Sequence, residues 1–331
     1  MRLPAYHPGM THVHPLLDAR QTAARLPYPA LVAEIAALLA DDSVQVPERL
    51  VQPLAGGGSL FVMPAMDGQV AITKLITFTP ANAGTPRPTI QGDVVVFDIP
   101  SGARRLVLDG PTVTARRTAA VSLLAAQRLA PNTRGPLLIV GAGVQGLAHL
   151  EAFAGGLGIA EVVIASRSQA SAQTLAAHAE SLGLRARTTQ DPDAALADCP
   201  LAVTCTPASR VVLQALPRPD GFIAAVGAFT PAMVELGAGL CQHFAETGTV
   251  VVDTADALHE AGDLLQAGLD VRSFATLADV LRSGRARPAG PVLFKSCGWA
   301  GWDLAAARTA LLTGAATTPL DPPQASPAPP F

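Results

Sequence analysis

The sequence predicts a two-part α/β protein, a doubly wound parallel sheet preceded by an α+β part, and two patterns predict it. After Gly135 the short apolar runs PLLIV, EVVIAS, LAVTCT, FIAAVG and TVVVD alternate with Ala-rich segments of helical period. That alternation marks parallel strands joined by crossover helices. Between Val70 and Asp109 the runs VAITKLITF, DVVVFDI and RRLVLDG instead follow one another, the last two joined by the turn PSG, as in an antiparallel meander.

Each element has its own basis. Residues 1–14 are expected to form a disordered leader. In PYPALVAEIAALLADD, Leu31, Ile35, Leu38 and Leu39 stand at i, i+4, i+7 and i+8 with Pro29 near the first turn, so an amphipathic packing helix is expected. The meander follows. TARRTAAVSLLAAQRLA reads as a long helix closed by Pro131 and Asn132, and GWDLAAARTALL as a final helix ending at Gly314. The proline-rich PLDPPQASPAPPF, within residues 315–331, should be disordered. The chain thus divides into an N-terminal α+β unit to about Thr118 and a dinucleotide-type unit to about residue 298.

At 331 residues, 49% hydrophobic and 15% charged, the chain has apolar side chains enough for one large or two ordinary cores. A net charge of -3, with no dense Lys/Arg block, argues against nucleic acid or an anionic membrane as partner. Cys199, Cys205, Cys241 and Cys297 form no CxxC pair and no metal-ligand spacing with histidine, so they read as reduced, packed thiols. His7, His12 and His14 stand close together without an acidic or cysteine partner, and no metal is assigned to them. MRLPAYHPGMTHVHP lacks the apolar core of a signal peptide, and ALVAEIAALLA is interrupted by Glu34 and too short to span a bilayer, so a cytoplasmic protein is expected.

GAGVQG, residues 141–146, matches GxGxxG, a weak motif in isolation that here directly follows LLIV and opens a helix. In that setting Gly141 makes the tight turn, Gly143 lets the backbone approach a pyrophosphate, and Gly146 lets helix and strand pack closely. Ala142, Val144 and Gln145 complete the cofactor loop, with free N–H groups of the helix N-terminus facing the phosphates. An NAD-selective site places Asp or Glu about 20 residues further on, at the end of the second strand. Here EVVIA runs into Ser166, Arg167 and Ser168, an arginine between hydroxyls that can bind a 2′-phosphate. NADP(H) is expected in preference to NAD(H).

Two cations fall on apolar faces. Strand alternation puts Ile72, Lys74, Ile76 and Phe78 together, so the Lys74 ammonium needs an anionic partner or a path to the sheet edge. Arg117 shares the helical stripe of Val121, Leu124 and Ala125, while Arg116 is rotated about 100° away. An inward guanidinium suits a substrate carboxylate, gripped by two parallel bonds, or a carboxylate of the protein's own.

The stretch from KLITFTPANAG to SLLAAQRLA, then GAGVQG, AVGAFTPAMVEL, VVVDTADALHEAGDLL and FKSCGWAGWDLAAA, resembles the successive signatures of the ornithine cyclodeaminase/μ-crystallin family over roughly residues 15 to 314. The resemblance implies homodimers whose subunits combine a substrate-binding and dimerisation domain, residues 15–118 with 299–314, and a Rossmann-type domain, residues 119–298. It implies that Lys74 and Arg117, joined by Arg49 of VPERL, hold the substrate carboxylate. It further implies that Thr114 stands beside the nicotinamide and that Thr204, Thr206, Val226, Gly227 and Lys295 border the cofactor.

True ornithine cyclodeaminases carry an aspartate in the segment matching VGAFTPAMVEL, where this sequence has Ala228 and Phe229. A phenyl ring cannot act as a general base or orient water. The resemblance therefore points to the family's reductases of cyclic α-imino acids, giving L-proline from Δ1-pyrroline-2-carboxylate or the homologous product from the six-membered ring, with Lys74 and Arg117 as catalytic residues. The alternatives are ornithine cyclodeamination, an alanine-dehydrogenase-like oxidative deamination, and non-catalytic binding as in the crystallin branch.

Overall fold

The computed structural model describes residues 15–315 apart from 83, 84, 86, 208 and 285. The expected leader with its three histidines and the chain beyond residue 315 lie outside the described residues. Helices α1 (Ala19–Ala24) and α2 (Tyr28–Leu38) lead into strands β1 (Leu50–Leu54), β2 (Gly58–Met66), β3 (Val70–Phe78), β4 (Ile90–Asp98) and β5 (Arg104–Asp109). These form one antiparallel sheet in sequence order. Helix α2 buries Leu31, Ile35 and Leu38, as their spacing requires, and has Pro29 in its first turn.

The meander is two strands larger than the apolar runs suggest, because Pro53 in β1 and Pro64 in β2 interrupt the strand pattern. Both prolines sit where the ladder tolerates them. Strand β1 is an edge, and Pro64 lies beyond the part of β2 that β1 covers, Leu50 pairing with Val62 and Leu54 with Gly58. On β3 the alternate residues Ile72, Lys74 and Ile76 are buried, with Lys74 in register between Met63 of β2 and Val94 of β4.

Helix α3 (Gly110–Leu129) starts four residues earlier than the pattern suggests, at an N-cap where Asp109 accepts from the Thr112 backbone at 2.8 Å, with Pro111 in the first turn. No Gly or Pro interrupts it before Leu129, so it runs unbroken through Thr118. The boundary expected there falls inside one helix, whose length packs both on the antiparallel sheet and on the first helix of the second unit.

That unit contains β6 (Leu137–Val140), α4 (Val144–Leu157), β7 (Glu161–Ala165), α5 (Gln169–Ser181), β8 (Arg185–Thr189), α6 (Pro192–Leu196), β9 (Leu201–Thr204), β10 (Ser209–Leu213), β11 (Phe222–Ala225), β12 (Val234–Leu236), α7 (Ala238–Thr247), β13 (Thr249–Val252), α8 (Ala257–Glu260), α9 (Gly262–Gln266), β14 (Ala275–Thr276), α10 (Leu277–Ser283) and β15 (Val292–Lys295). Eight strands form a parallel sheet in the order β14-β13-β15-β11-β9-β6-β7-β8, and β10 pairs separately with β12. The five predicted runs are β6, β7, β9, β11 and β13. Strand β8, RARTT, is a polar edge strand with no apolar run, β14 has only two residues, and the short apolar run of β15, VLFK, ends on a lysine.

The chain moves outward from β6 to β8 and then returns to β9 on the other side of β6, which makes a topological switch point at the carboxyl ends of β6 and β9. A last helix, α11 (Ala300–Ala315), goes back to the N-terminal unit and packs on α2, α3, β2 and β3. Arg308 fastens it there through ion pairs with Glu34, Asp41 and Asp67. Among the described residues no helix is long and apolar enough to cross a membrane.

Candidate active site

The switch point opens onto a cavity of about 430 Å³. One wall is the inward face of the antiparallel sheet, with Phe61, Met63, Lys74, Ile76, Phe78 and Ile90. The opposite wall is made by the loops that leave the carboxyl ends of β6, β9, β11 and β15, and α3 contributes Thr114, Arg117 and Thr118 from one face.

Lys74 is only 1% exposed and does not reach the sheet edge. Its Nζ lies 2.9 Å from Oδ2 of Asp303, donates to Oδ1 at 3.1 Å, and donates to Thr114 Oγ1 at 3.3 Å. Arg117 donates its Nε to the same Asp303 Oδ1 at 3.3 Å. Asp303, in the first turn of α11, is fully buried. The partner of both cations inside the protein is therefore its own carboxylate. Asp303 takes only one edge of the Arg117 guanidinium, however. The terminal nitrogens meet no acceptor among the described residues and lie beside Gly298, where a Cβ would come within 3.3 Å of them.

Two cations share one carboxylate, which leaves one positive charge unmatched. Burial pulls the Lys74 ammonium down to about 8 although Asp303 opposes it, and Arg117 adds to the lowering. Arg49 also lines the cavity, but its guanidinium is paired with Glu260 at the end of α8. Burial raises the Glu260 carboxyl to about 7, Arg49 opposing and Asp253 and Asp256 reinforcing.

The glycine loop makes the anion-binding end. Gly141 has φ +119°, and a Cβ there would come within 2.9 Å of the Cys205 carbonyl. A side chain at Gly146 would run into the Gly141 carbonyl, whereas one at Gly143 would meet nothing within 4 Å. Helix α4 has no side-chain cap at its N-terminus, so its first-turn N–H groups stay available to an anion. Gly143, Val144 and Gln145 line the cavity, while Ala142 belongs to the loop behind them. An adenine dinucleotide fits these residues: Gly143 and the first-turn N–H groups of α4 would hold its pyrophosphate.

Beyond β7, Arg167 is exposed and Ser168 caps α5 by accepting from the Ser171 backbone at 3.3 Å. Ser166 Oγ accepts from the Ser168 backbone, also at 3.3 Å.

Among the residues expected to border the cofactor, Thr206, Val226 and Gly227 do line the cavity. Thr204 and Lys295 do not. Both are fully buried beneath it because two carboxylates hold them there. Glu235 accepts from Thr204 Oγ1 at 3.0 Å, from the backbone of Thr206 and Gly227 at 2.6 Å each, and from Thr206 Oγ1 at 2.9 Å. Asp263 lies 2.8 Å from Lys295 Nζ and accepts from the backbone of Glu235 and Leu236. Burial disfavours the Lys295 charge, but Asp263, Cys297 and Glu235 together outweigh it and hold the ammonium above the usual lysine range. Lys295 donates to the Ala228 carbonyl at 2.6 Å. The role of this layer is to fix the loops after β9 and β11.

Phe229, rather than Ala228, faces the cavity, edge-on to Phe78 with ring centroids 6.3 Å apart. Cys205, Ser296, Cys297 and Gly298 line it as well, the last three held by Asp253 Oδ2, which accepts from Ser296 Oγ at 2.7 Å and from the backbone of Cys297 and Gly298 at 2.9 Å. Sequence reasoning missed these four, and also Asp303, Glu235, Asp253 and Glu260. Asp303 stood in plain view in GWDLAAA, with nothing local to show what it pairs with.

The family model described as ornithine cyclodeaminase/mu-crystallin matches residues 29–311. The chain belongs to that family. Delta(1)-pyrroline-2-carboxylate reductase 1 of Burkholderia multivorans is 42% identical over 304 residues, spanning 89% of this chain and 94% of its own. A Delta(1)-pyrroline-2-carboxylate/Delta(1)-piperideine-2-carboxylate reductase of Azospirillum brasilense is 40% identical over 299 residues, with the same shares covered. The structure of the Thermococcus litoralis Delta(1)-pyrroline-2-carboxylate reductase in complex with NADH and L-proline covers 91% of this chain and 94% of its own at TM-score 0.78; at 22% identity that likeness is one of fold.

Proposed function

We propose that this ornithine cyclodeaminase/mu-crystallin family member is an NAD(P)H-dependent reductase of cyclic α-imino acids, converting Δ1-pyrroline-2-carboxylate to L-proline or the six-membered homologue to its saturated product. The observation that carries the reading is the single unmatched positive charge of Lys74, Arg117 and Asp303, set in an otherwise apolar wall beside the glycine loop. It matches a monoanion with a hydrocarbon ring, and the relatives at 40% and 42% identity are named for such substrates.

In this reading the terminal nitrogens of Arg117 hold the carboxylate, Lys74 lies beside it, and Phe61, Met63, Ile76 and Phe229 take the ring methylenes. The bound reduced nicotinamide supplies the hydride. Holding carboxylate and ring together turns a bimolecular encounter into a preset geometry. Phe229 leaves no carboxylate where cyclodeamination needs one.

Arg167, exposed where no acid follows β7, favours NADP(H). The protein acts in the cytoplasm as a homodimer whose interface includes the outer face of the antiparallel sheet, where Leu50, Leu75 and Phe97 stay exposed.

Steady-state assays of NADPH and NADH oxidation with five- and six-membered imino acids test the function. Turnover is expected with one ring or both, and ammonia release from L-ornithine should be negligible. Stoichiometric ammonia and proline with only catalytic NAD would overturn the reading.

A further inference from the structure

Of the 23 basic residues counted as lysine plus arginine, only Lys74 and Lys295 are lysines, and each is fully buried against an aspartate. Their surroundings differ. Lys295 is held charged by two carboxylates, Asp263 and Glu235. Among the described residues the ion-pair partner of Lys74 is Asp303 from α11, set against Arg117 from α3 and Arg49 from the segment before β1, with Arg49 itself paired to Glu260 of α8. Strands β2 and β4 flank it with Met63 and Val94, which carry no charge. An arginine at this place would stay charged at every working pH; a lysine is the cation that can release a proton.

We propose that Asp303 is the positioning residue of the reaction: it holds Lys74 Nζ as an ammonium at the cavity wall, and by engaging only Nε of Arg117 it turns the two terminal nitrogens toward the substrate carboxylate. The proposal rests on the reductase reading. In the step it serves, Lys74 gives a proton to the ring nitrogen, the π pair of the C=N bond moves onto that nitrogen, and the ring carbon accepts the hydride. That hydride and its electron pair are what a bound reduced nicotinamide would supply, and neutral Lys74 regains its proton from solvent. Asp303 is buried, touches no substrate atom, and acts through both cations. Its own proton does not move.

The test combines the pH dependence of kcat/KM with a direct titration of the lysine side chains. With lysine labelled by ¹³C at Cε the protein has two signals, and Lys74→Arg assigns them by removing one. In the wild type the Lys74 signal and the alkaline limb of kcat/KM should titrate together near pH 8. Asp303→Asn should move both to lower pH by about one pH unit or more and raise KM for the imino acid, because the ammonium loses the carboxylate it is paired with. Asp303→Glu should keep the limb near its place while lowering kcat.

Lys74→Arg should abolish the limb in the accessible range. A limb that stays at the same pH in Lys74→Arg belongs to another group, such as the substrate's own nitrogen, and would overturn the proposal even if Asp303→Asn did not fold. A wild-type Lys74 signal that does not titrate with the limb would do the same. Absence of any imino-acid turnover by the wild type would sink the reductase reading, whereas turnover with an unmoved limb sinks only the role given to Asp303.

Discussion

Replacing Arg117 by alanine separates a residue that anchors substrate from one that supports the fold. In a site with a single buried ion pair, removing the cation strands the carboxylate at a cost of several kcal/mol. Here Asp303 keeps a second cation, with Lys74 Nζ 2.9 Å from Oδ2. What Arg117→Ala removes from the fold is one bond from Nε, at 3.3 Å near the long end of the useful range, whose net contribution is about 1 kcal/mol. The melting temperature should therefore fall by only a few degrees, at roughly 2–4 °C per kcal/mol for a large domain.

Catalysis should suffer far more. Two charge-assisted bonds to the carboxylate, at about 1.5–3 kcal/mol each, amount to at least about 3 kcal/mol of transition-state binding, or roughly 150-fold in kcat/KM. KM for the nicotinamide cofactor should change little. A second signature follows from the charges, since Arg117 helps hold Lys74 down to about 8: without it the alkaline limit of activity should move to higher pH. Initial rates, thermal melts and a pH series read all three. A large drop in melting temperature with kcat/KM intact in the folded fraction would refute the anchor role and leave Lys74 and Arg49 to hold the acid.

Two further outcomes are expected. Arg167→Asp should reverse or flatten a wild-type preference for NADPH over NADH in kcat/KM; a wild type that prefers NADH, with an unchanged ratio in the variant, would show that the loop after β7 has been misread. His149, buried between α3 and α4 with Nε2 at 2.9 Å from Ser122 Oγ and Nδ1 at 2.7 Å from the Gln145 carbonyl, is pushed by burial down to about 4. The unfolded chain then binds that proton more tightly, so the stability the neutral ring contributes is complete above pH 6.5 and is lost as pH falls through about 4. Urea unfolding at pH 7 and pH 4 should show the wild type losing about 3 kcal/mol more than His149→Gln. The raised Glu260 carboxyl acts with the opposite sign in both proteins and cancels in the difference; equal losses would contradict the assignment to His149.

Local pattern made much of this molecule legible. Apolar runs such as LLIV and FIAA reveal central strands because both of their faces are buried, and the same periodicity exposes Lys74 and Arg117 as cations among aliphatic residues. Edge strands escape that reading. RARTT of β8 is solvated and reads as loop, and Pro64 hides a strand whose neighbours are strongly apolar. The largest omission is of another kind. Asp303 stands 186 residues from Arg117 and 229 from Lys74 in the chain, and a carboxylate that neutralises a distant pair has no period, so on its own helix it reads as an ordinary first-turn acid. Glu235 and Asp263 are hidden for the same reason, since they serve loops that are close to them only after the sheet is built.

The scarcity of lysine also matters for proteolysis. A lysine-specific endoprotease has only two peptide bonds to cut in this chain, one after Lys74 within β3 and one after Lys295 at the end of β15. Both lie in hydrogen-bonded strands with their side chains buried, so neither is a substrate until its own sheet opens. Fragments ending at Lys74 would report the opening of the antiparallel sheet, and fragments ending at Lys295 that of the parallel one. The ratio of the two products under native conditions thus compares the local stabilities of the two halves of the molecule without any introduced label.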